Sequence, residues 1–238
     1  MHVKGLDERH VSTEGKTVKL GYNNRAWIND YAYDESVWWA YRHNYLAGSM
    51  SYDVDLHEVD CACRSGVYLV DYDYESCNWD AKAIGEDPQC ARFEVMEANK
   101  FFFSTSAYPC NDGVCEDSSQ STAVANGEDG KYGPGTFYTI NTDEPFNVNV
   151  RFWADNRWRL TKITTELTQN GTTITLVQDD ANYIYSLYRS LYYGMTAVVS
   201  NFNSTSAEST RDKCQNECGF YSSTLSNFEW KEYNSWDR

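Results

Sequence analysis

Between Cys90 and Cys110 the chain carries an arginine, two glutamates and a tyrosine at spacings that could assemble a site: Arg92, Glu94, Glu97 and Tyr108. Arg92 and Glu94 are two apart, so on a strand both side chains leave one face. Glu97 is out of that phase and joins them only where a bulge or strand end rotates it back, a device common beside active sites. The plainest outcome is an ion-paired edge strand. The chemically richer one is a pair of carboxyls for acid–base work beside a guanidinium, whose two-pronged fork recognises an anion. A phenol at Tyr108 can give or take a proton.

Such a set needs a rigid frame, and the sequence predicts strands almost everywhere. Thr17–Leu20 precedes a polar Gly-Asn-Asn turn, and Ser36–Tyr41 is aromatic. From Met50 to Leu56, Tyr52, Val54 and Leu56 alternate with Asp53 and Asp55. Gly66–Val70 is an apolar run suited to a central strand. Phe146, Val148, Val150 and Phe152 alternate with Asn147, Asn149 and Arg151. Leu160–Leu167 and Thr172–Val177 flank Asn170-Gly171, the strongest short hairpin signal in the chain. Gly194–Phe202 reads as a buried strand and Phe228–Tyr233 as a last one. Tyr183–Tyr193 fits one helix or two strands, and residues 111–135 read as a long surface loop. Short strands with polar turns, no repeat and no linker imply one all-β, two-sheet domain over residues 1–238.

The net charge of −15 over 238 residues argues against a generic nucleic-acid or anionic-membrane partner, though not against a local basic groove. No run of 18 apolar residues is present to span a membrane. No hydrophobic signal segment precedes His2, which suits either a mature domain with an added Met or a cytosolic protein. Eight cysteines, an even number, favour the first and a secreted, disulfide-bonded chain. Zinc at Cys61-x-Cys63 and Cys214-x3-Cys218 lacks a histidine to complete a familiar ligand set, so neither metal nor cofactor is expected. Asn170-Gly171-Thr172 and Asn203-Ser204-Thr205 are glycosylation sequons, compatible with secretion.

The stretch Cys90-Ala91-Arg92-Phe93-Glu94-Val95-Met96-Glu97-Ala98-Asn99, with Tyr108-Pro109-Cys110 after it, resembles the signature of family 7 glycoside hydrolases, C-S-E-M-D-I-W-E-A-N and then P-H-P-C. Ser51–Asp55, Gly66–Asp73, Tyr132–Gly135 with Pro145-Phe146, and Gly194–Ser200 are similar to further motifs of that family, so the resemblance covers roughly residues 45–235. It implies a curved two-sheet β-jelly-roll with shortened loops and an open cleft. Transferred from the family, the disulfides would be Cys77–Cys90, Cys110–Cys115, and Cys61 with Cys214 or Cys218. Laid on the signature, Glu97 takes the acid/base position and Glu94 that of the helper aspartate. Arg92 stands where the nucleophilic glutamate belongs and Tyr108 where a histidine belongs. Tyr68 and Arg64 fall on cleft positions, and Phe202 replaces a stacking tryptophan.

A guanidinium cannot attack an anomeric carbon, so the retaining hydrolysis of the family is not expected. It suits a substrate that carries its own carboxylate. The expectation is therefore a monomeric polysaccharide lyase acting on a 1,4-linked uronic-acid polymer, alginate and poly-mannuronate first, by β-elimination. Arg92 would neutralise the uronate and Tyr108, its pKa lowered by Arg92 or Arg64, would move the proton. Tyr68 and Glu97 would assist, while Arg64, Glu94 and Phe202 would bind. The alternatives are a non-catalytic carbohydrate-binding descendant and a glycosidase with a rearranged mechanism on Glu94 and Glu97. Arg151, Arg157 and Arg159, near Trp153 and Trp158, form either a second anionic-sugar platform or a solvated face. His10 and His57 read as structural or surface groups, with His43 a reserve base.

Overall fold

Met50, Tyr52 and Val54 are buried while the residues between them are partly exposed, so the period of two becomes strand β5 (Ser49–Asp55). The same period makes β14 (Phe146–Ala154), and the two pair antiparallel with Val54 opposite Phe146 and Met50 opposite Val150. Their apolar faces therefore coincide, which is what fixes the register. The computed structural model describes residues 2–5, 11–29, 42–72, 90–111, 114–115, 121–180, 184–203 and 221–232.

Around this pair grows one seven-stranded sheet. Its order is β16 (Thr172–Gln178), β15 (Leu160–Gln169), β14, β5, β18 (Ser222–Lys231), β3 (Thr17–Gly21), β2 (Val11–Glu14). The second sheet has the order β1 (His2–Gly5), β4 (Asn24–Asn29), β17 (Thr196–Asn203), β6 (Cys63–Asp71), β7 (Ala91–Ala98), β8 (Phe102–Tyr108), β11 (Ser121–Asn126). All pairings within both sheets are antiparallel. The sheets share one apolar core, in which Phe93 of β7 meets Phe152 of β14 edge to face at 5.3 Å. The result is a two-sheet β-jelly-roll sandwich, with β6 and β7 central and buried along their whole length.

Two short pairs lie outside the sheets, β9 (Cys110–Asn111) with β10 (Val114–Cys115), and β12 (Tyr132–Gly133) with β13 (Ile140–Asn141). Asn170 (φ 50°) and Gly171 (φ 78°) close the β15–β16 hairpin in the left-handed region, as an Asn-Gly pair favours.

Several expectations change. The stretch 111–135 is not one loop. It holds the β9–β10 hairpin, β11 at the edge of the second sheet, and β12. The polar residues on either side hid β11, whose apolar residues are the three in Ala123-Val124-Ala125. Helix α1 (Tyr188–Tyr193), preceded by a 3-10 turn at Tyr185–Leu187, settles the ambiguous tyrosine run. Ile184, Leu187 and Leu191 recur at helical spacing and carry the burial, so the period lay in these residues and not in the tyrosines. Strands β1, β2 and β4 were not anticipated.

The expected strand at Ser36–Tyr41 lies outside the described residues. Cys61, Cys63, Cys90 and Cys110 are disulfide-bonded, and no described cysteine is free. The expected partners Cys77, Cys214 and Cys218 lie outside the described residues. Cys110 and Cys115 stand directly opposite each other in the β9–β10 register. No helix of the described residues is long and apolar enough to cross a membrane.

Candidate active site on the outer face of β6, β7 and β8

The phase problem at Glu97 is solved by a bulge. Val95 and Met96, adjacent in sequence, both enter the core. The register slips between Glu94 and Glu97 toward β8, and between Val67 and Tyr68 toward β6. Two consecutive inward residues reset the alternation, so Glu97 emerges on the face of Arg92 and Glu94.

On that face Arg64 Nη1 lies 2.5 Å from Glu97 Oε2, and the Tyr68 hydroxyl donates to Glu97 Oε1 at 2.8 Å. Arg92 Nε donates to Glu94 Oε1 at 3.4 Å. The Arg92 guanidinium lies over Tyr108, with Cζ 3.7 Å from the ring centroid, and Glu94 is close enough to the Tyr108 phenol to act on it electrostatically. Arg92 stands directly opposite Tyr108 in the ladder, and Glu94 opposite Ser106 and Tyr68. The four charged side chains are nearly closed to solvent, Arg92 and Glu94 at 3% exposure, and Tyr108 is the half-exposed member.

Gly66 faces Glu97 across the ladder, and a Cβ there would overlap the Tyr68 hydroxyl and ring. The phenol of Tyr68 thus reaches Glu97 by lying over a residue without a side chain. Phe102 lies beneath the Arg64 guanidinium, 5.1 Å from Cζ to centroid. Tyr221 donates to the backbone carbonyls of Arg64 and Phe202, tying β6 to β17 beside the site. Phe202 packs against the small cluster of Trp27, Tyr68, Val70 and Val198.

The two carboxyls have different surroundings. Burial pushes Glu94 up to about 8, the neighbouring Glu97 adds to this, and Arg92 and Arg64 only partly oppose it. Glu94 thus holds its proton more tightly than an ordinary carboxyl, and Glu97 lies in an ion pair with Arg64. Burial likewise raises Tyr68, with Glu97 and Glu94 reinforcing it. The expectation that arginine lowers the Tyr108 pKa is corrected. Arg92 does pull it down, but burial and Glu94 outweigh that and the phenol is held above its ordinary value. Such a tyrosine is a proton donor, not a resting base.

His43 is not near this group. Its Nδ1 lies 3.1 Å from Glu232 Oε1, its ring stacks on Trp230, and its backbone bridges Met195. His57 is exposed and bonds Asp55, and His10 lies outside the described residues. Among the described residues no group of three or more His, Cys, Asp or Glu side chains could hold a metal ion.

No protein-family model and no curated protein matches the chain. Solved structures do. The native endocellulase of Humicola insolens is 17% identical, with a TM-score of 0.73 over 96% of this chain and 79% of that one. A family 7 cellobiohydrolase from Daphnia pulex is 15% identical, with a TM-score of 0.67 over 92% and 79%. The cellobiohydrolase of Melanocarpus albomyces, solved with cellotetraose, is 15% identical, with a TM-score of 0.64 over 94% and 80%. The fold is that of the family 7 cellulases. At these identities the likeness is one of architecture, and function must be argued from the site. The structural match takes in 96% of the chain, more than the span of roughly 45–235 that the motifs suggested.

Four residues of the neighbourhood were missed in the sequence. Arg25 and Trp27 leave β4 on the side away from the core residues Ala26 and Ile28, and Arg25 is buried opposite Ser200. The alternation Arg-Ala-Trp-Ile could have shown this. Phe102 and Tyr221 gave no such signal, since their roles depend on neighbours distant in the chain.

Proposed function

We propose that the protein is a secreted polysaccharide lyase that cleaves a 1,4-linked uronic-acid polymer by β-elimination, with poly-mannuronate the preferred substrate. The observation that carries this reading is the group of Arg92, Tyr108 and Glu94: a guanidinium on a phenol, with a carboxyl raised to about 8 that accepts from the guanidinium and lies beside the phenol. In β-elimination the C5–H and C4–O4 bonds break and a C4–C5 double bond forms. The intermediate gathers charge on the uronate carboxylate, where one fixed donor is worth ~3–4 kcal/mol. Arg92 is the donor.

Glu94 is the better base because a group titrating near the working pH combines basicity with a useful ionised fraction. Tyr108, kept protonated, gives its proton to the departing O4. The proton that Glu94 takes from C5 then passes to the neighbouring Tyr108 and restores the phenol. Base and acid are neighbours on one sheet face, so both act from one side of the sugar, the syn geometry of mannuronate. Arg64, Tyr68 and Glu97 hold that arrangement in place.

A second reading, hydrolysis, is favoured by the raised Glu94, which would serve as general acid, with Glu97 as base. The pH dependence separates the two. As a base, Glu94 must be ionised, so kcat/KM on a uronan rises with pH through about 8. As an acid it must be protonated, so the rate on a glucan falls through the same range. Unsaturated product from alginate, glucuronan or pectate, followed by its ultraviolet absorbance, supports elimination. New reducing ends from β-glucan without unsaturated product would overturn it, and binding without turnover on any polymer would leave a carbohydrate-binding protein.

A further inference from the structure

The outer face of the other sheet carries a second organised group. Arg151 Cζ lies 3.9 Å from the Trp153 ring centroid and Lys162 Nζ 4.7 Å from it, while Trp153 Nε1 donates to Thr164 Oγ1 at 3.0 Å. The indole is therefore pinned by its edge and holds two cations against its ring. In the ladder Lys231, Ser49, Arg151 and Thr164 form one row across β18, β5, β14 and β15, and Trp153 with Lys162 forms the next. Neighbouring strands are ~4.8 Å apart, so Lys231 and Arg151, two strands apart, sit ~10 Å from each other at the backbone.

Three acidic residues of this face lie on the other side of that row, while Asp155 and Asp179 follow β14 and β16 at its Lys162 end. Glu229 and Glu166 are in the row two residues along, Glu166 held by Asn149 Nδ2 at 3.2 Å, and Asp53 is in the row after. Among the described residues Arg151, Lys162 and Lys231 have no carboxylate within ion-pair distance. In a chain with 35 acidic and 20 basic side chains, three neighbouring cations outside ion-pair distance of any described carboxylate set this face apart. Arg159, expected to belong with them, does not: its guanidinium bonds Asp155 twice, at 2.8 and 2.6 Å, within the β14–β15 turn.

We infer that this face is a second binding surface for an anionic polysaccharide, remote from the Arg92 group because it lies on the opposite sheet. A guanidinium stacked on an indole keeps its N–H edge free to take a carboxylate and has already lost rotamer freedom. Cations set across neighbouring strands suit an extended chain with one carboxylate per sugar. A denser polyanion such as nucleic acid meets the long-range repulsion of the net charge of −15. The choice of a uronan rests on the function proposed above. Holding one stretch of polymer here raises the local concentration of the rest at the active site.

The test is affinity electrophoresis of the intact protein through gels containing alginate, a neutral β-glucan, or double-stranded DNA, alongside the unsaturated-product assay. Alginate should retard the wild type, and R151E/K162E should weaken that retention about tenfold. Phe137→Ala, at a side chain 95% exposed elsewhere on the surface, should migrate as wild type. Circular dichroism checks that each variant is folded, and the milder Arg151→Ala should fall between. Unchanged alginate retention in R151E/K162E overturns the inference, as does equal retention by the neutral glucan or by DNA. Retention that the variants lose, in a protein that forms no unsaturated product, would leave this surface standing and remove the lyase reading.

Discussion

Arg92 and Glu94 are buried together, and the chemistry follows from how that burial is shared. A carboxyl whose folded pKa is about 8 binds its proton more tightly folded than unfolded, where an ordinary glutamate sits at ~4.3. Its contribution to stability is therefore full below ~4.3 and is lost as pH rises to about 8. Glu94→Gln, neutral throughout, should remove that slope, so that its stability relative to wild type improves between pH ~4.3 and about 8 and is flat above. Urea denaturation across that window checks it, and a pH-independent difference would count against a buried, protonated Glu94. For Arg92, the fork matters as well as the charge: Arg92→Ala should lose on the order of 10²-fold or more in kcat, and Arg92→Lys should recover only part. An Arg92→Ala variant with near-normal turnover would exclude this role.

At the level of elements, the β6–β7 pair is what brings the residues together. The bulge turns Glu97 to the face of Arg92, and Gly66 leaves space for Tyr68 to reach it. Both ends of the Tyr68 contact are buried, so the ring has nowhere to retreat. Gly66→Ala should therefore destabilise the protein by ~1–3 kcal/mol, the usual cost of overpacking, and break the Tyr68–Glu97 hydrogen bond. Tyr68→Phe loses the same bond without the clash. Similar activity losses in both variants, with a lower melting temperature in Gly66→Ala, would locate the effect in the bond. Full activity in Gly66→Ala would show that Glu97 does not depend on Tyr68.

Across the whole molecule, stability comes from one apolar core shared by two sheets, and aromatic pairs cross it. Phe152 meets Phe93 at 5.3 Å and Tyr45 at 6.0 Å, while Tyr132 meets both Phe103 and Phe146. Phe152→Ala leaves a cavity beneath β7, and should cost ~3–5 kcal/mol. Because Phe93 lies between Arg92 and Glu94 in sequence, the same cavity should also loosen the candidate site. Chemical denaturation measures the first effect. A loss under ~1 kcal/mol would mean that the sheets close over the gap.

Alternation at 50–56 and 146–152 determined the strands of the sandwich, because a half-buried strand must repeat every two residues. Asn170-Gly171 determined a hairpin, because few residues accept two successive positive φ values. The residue types at 92, 94, 97 and 108 argued against retaining hydrolysis, because a guanidinium cannot serve as its nucleophile. What the chain did not declare was decided at a distance. Whether Glu97 joins Arg92 depended on Val95 and Met96 both finding room in the core, which is a property of the facing sheet. Whether the Tyr108 phenol is held above or below its ordinary pKa depended on burial and on Glu94, and spacing along the chain reports neither. The cation row of Arg151, Lys162 and Lys231 needed register between strands far apart in sequence. A sequence carries periodicity and side-chain chemistry, while dielectric environment and cross-strand neighbours exist only once the sheets have closed.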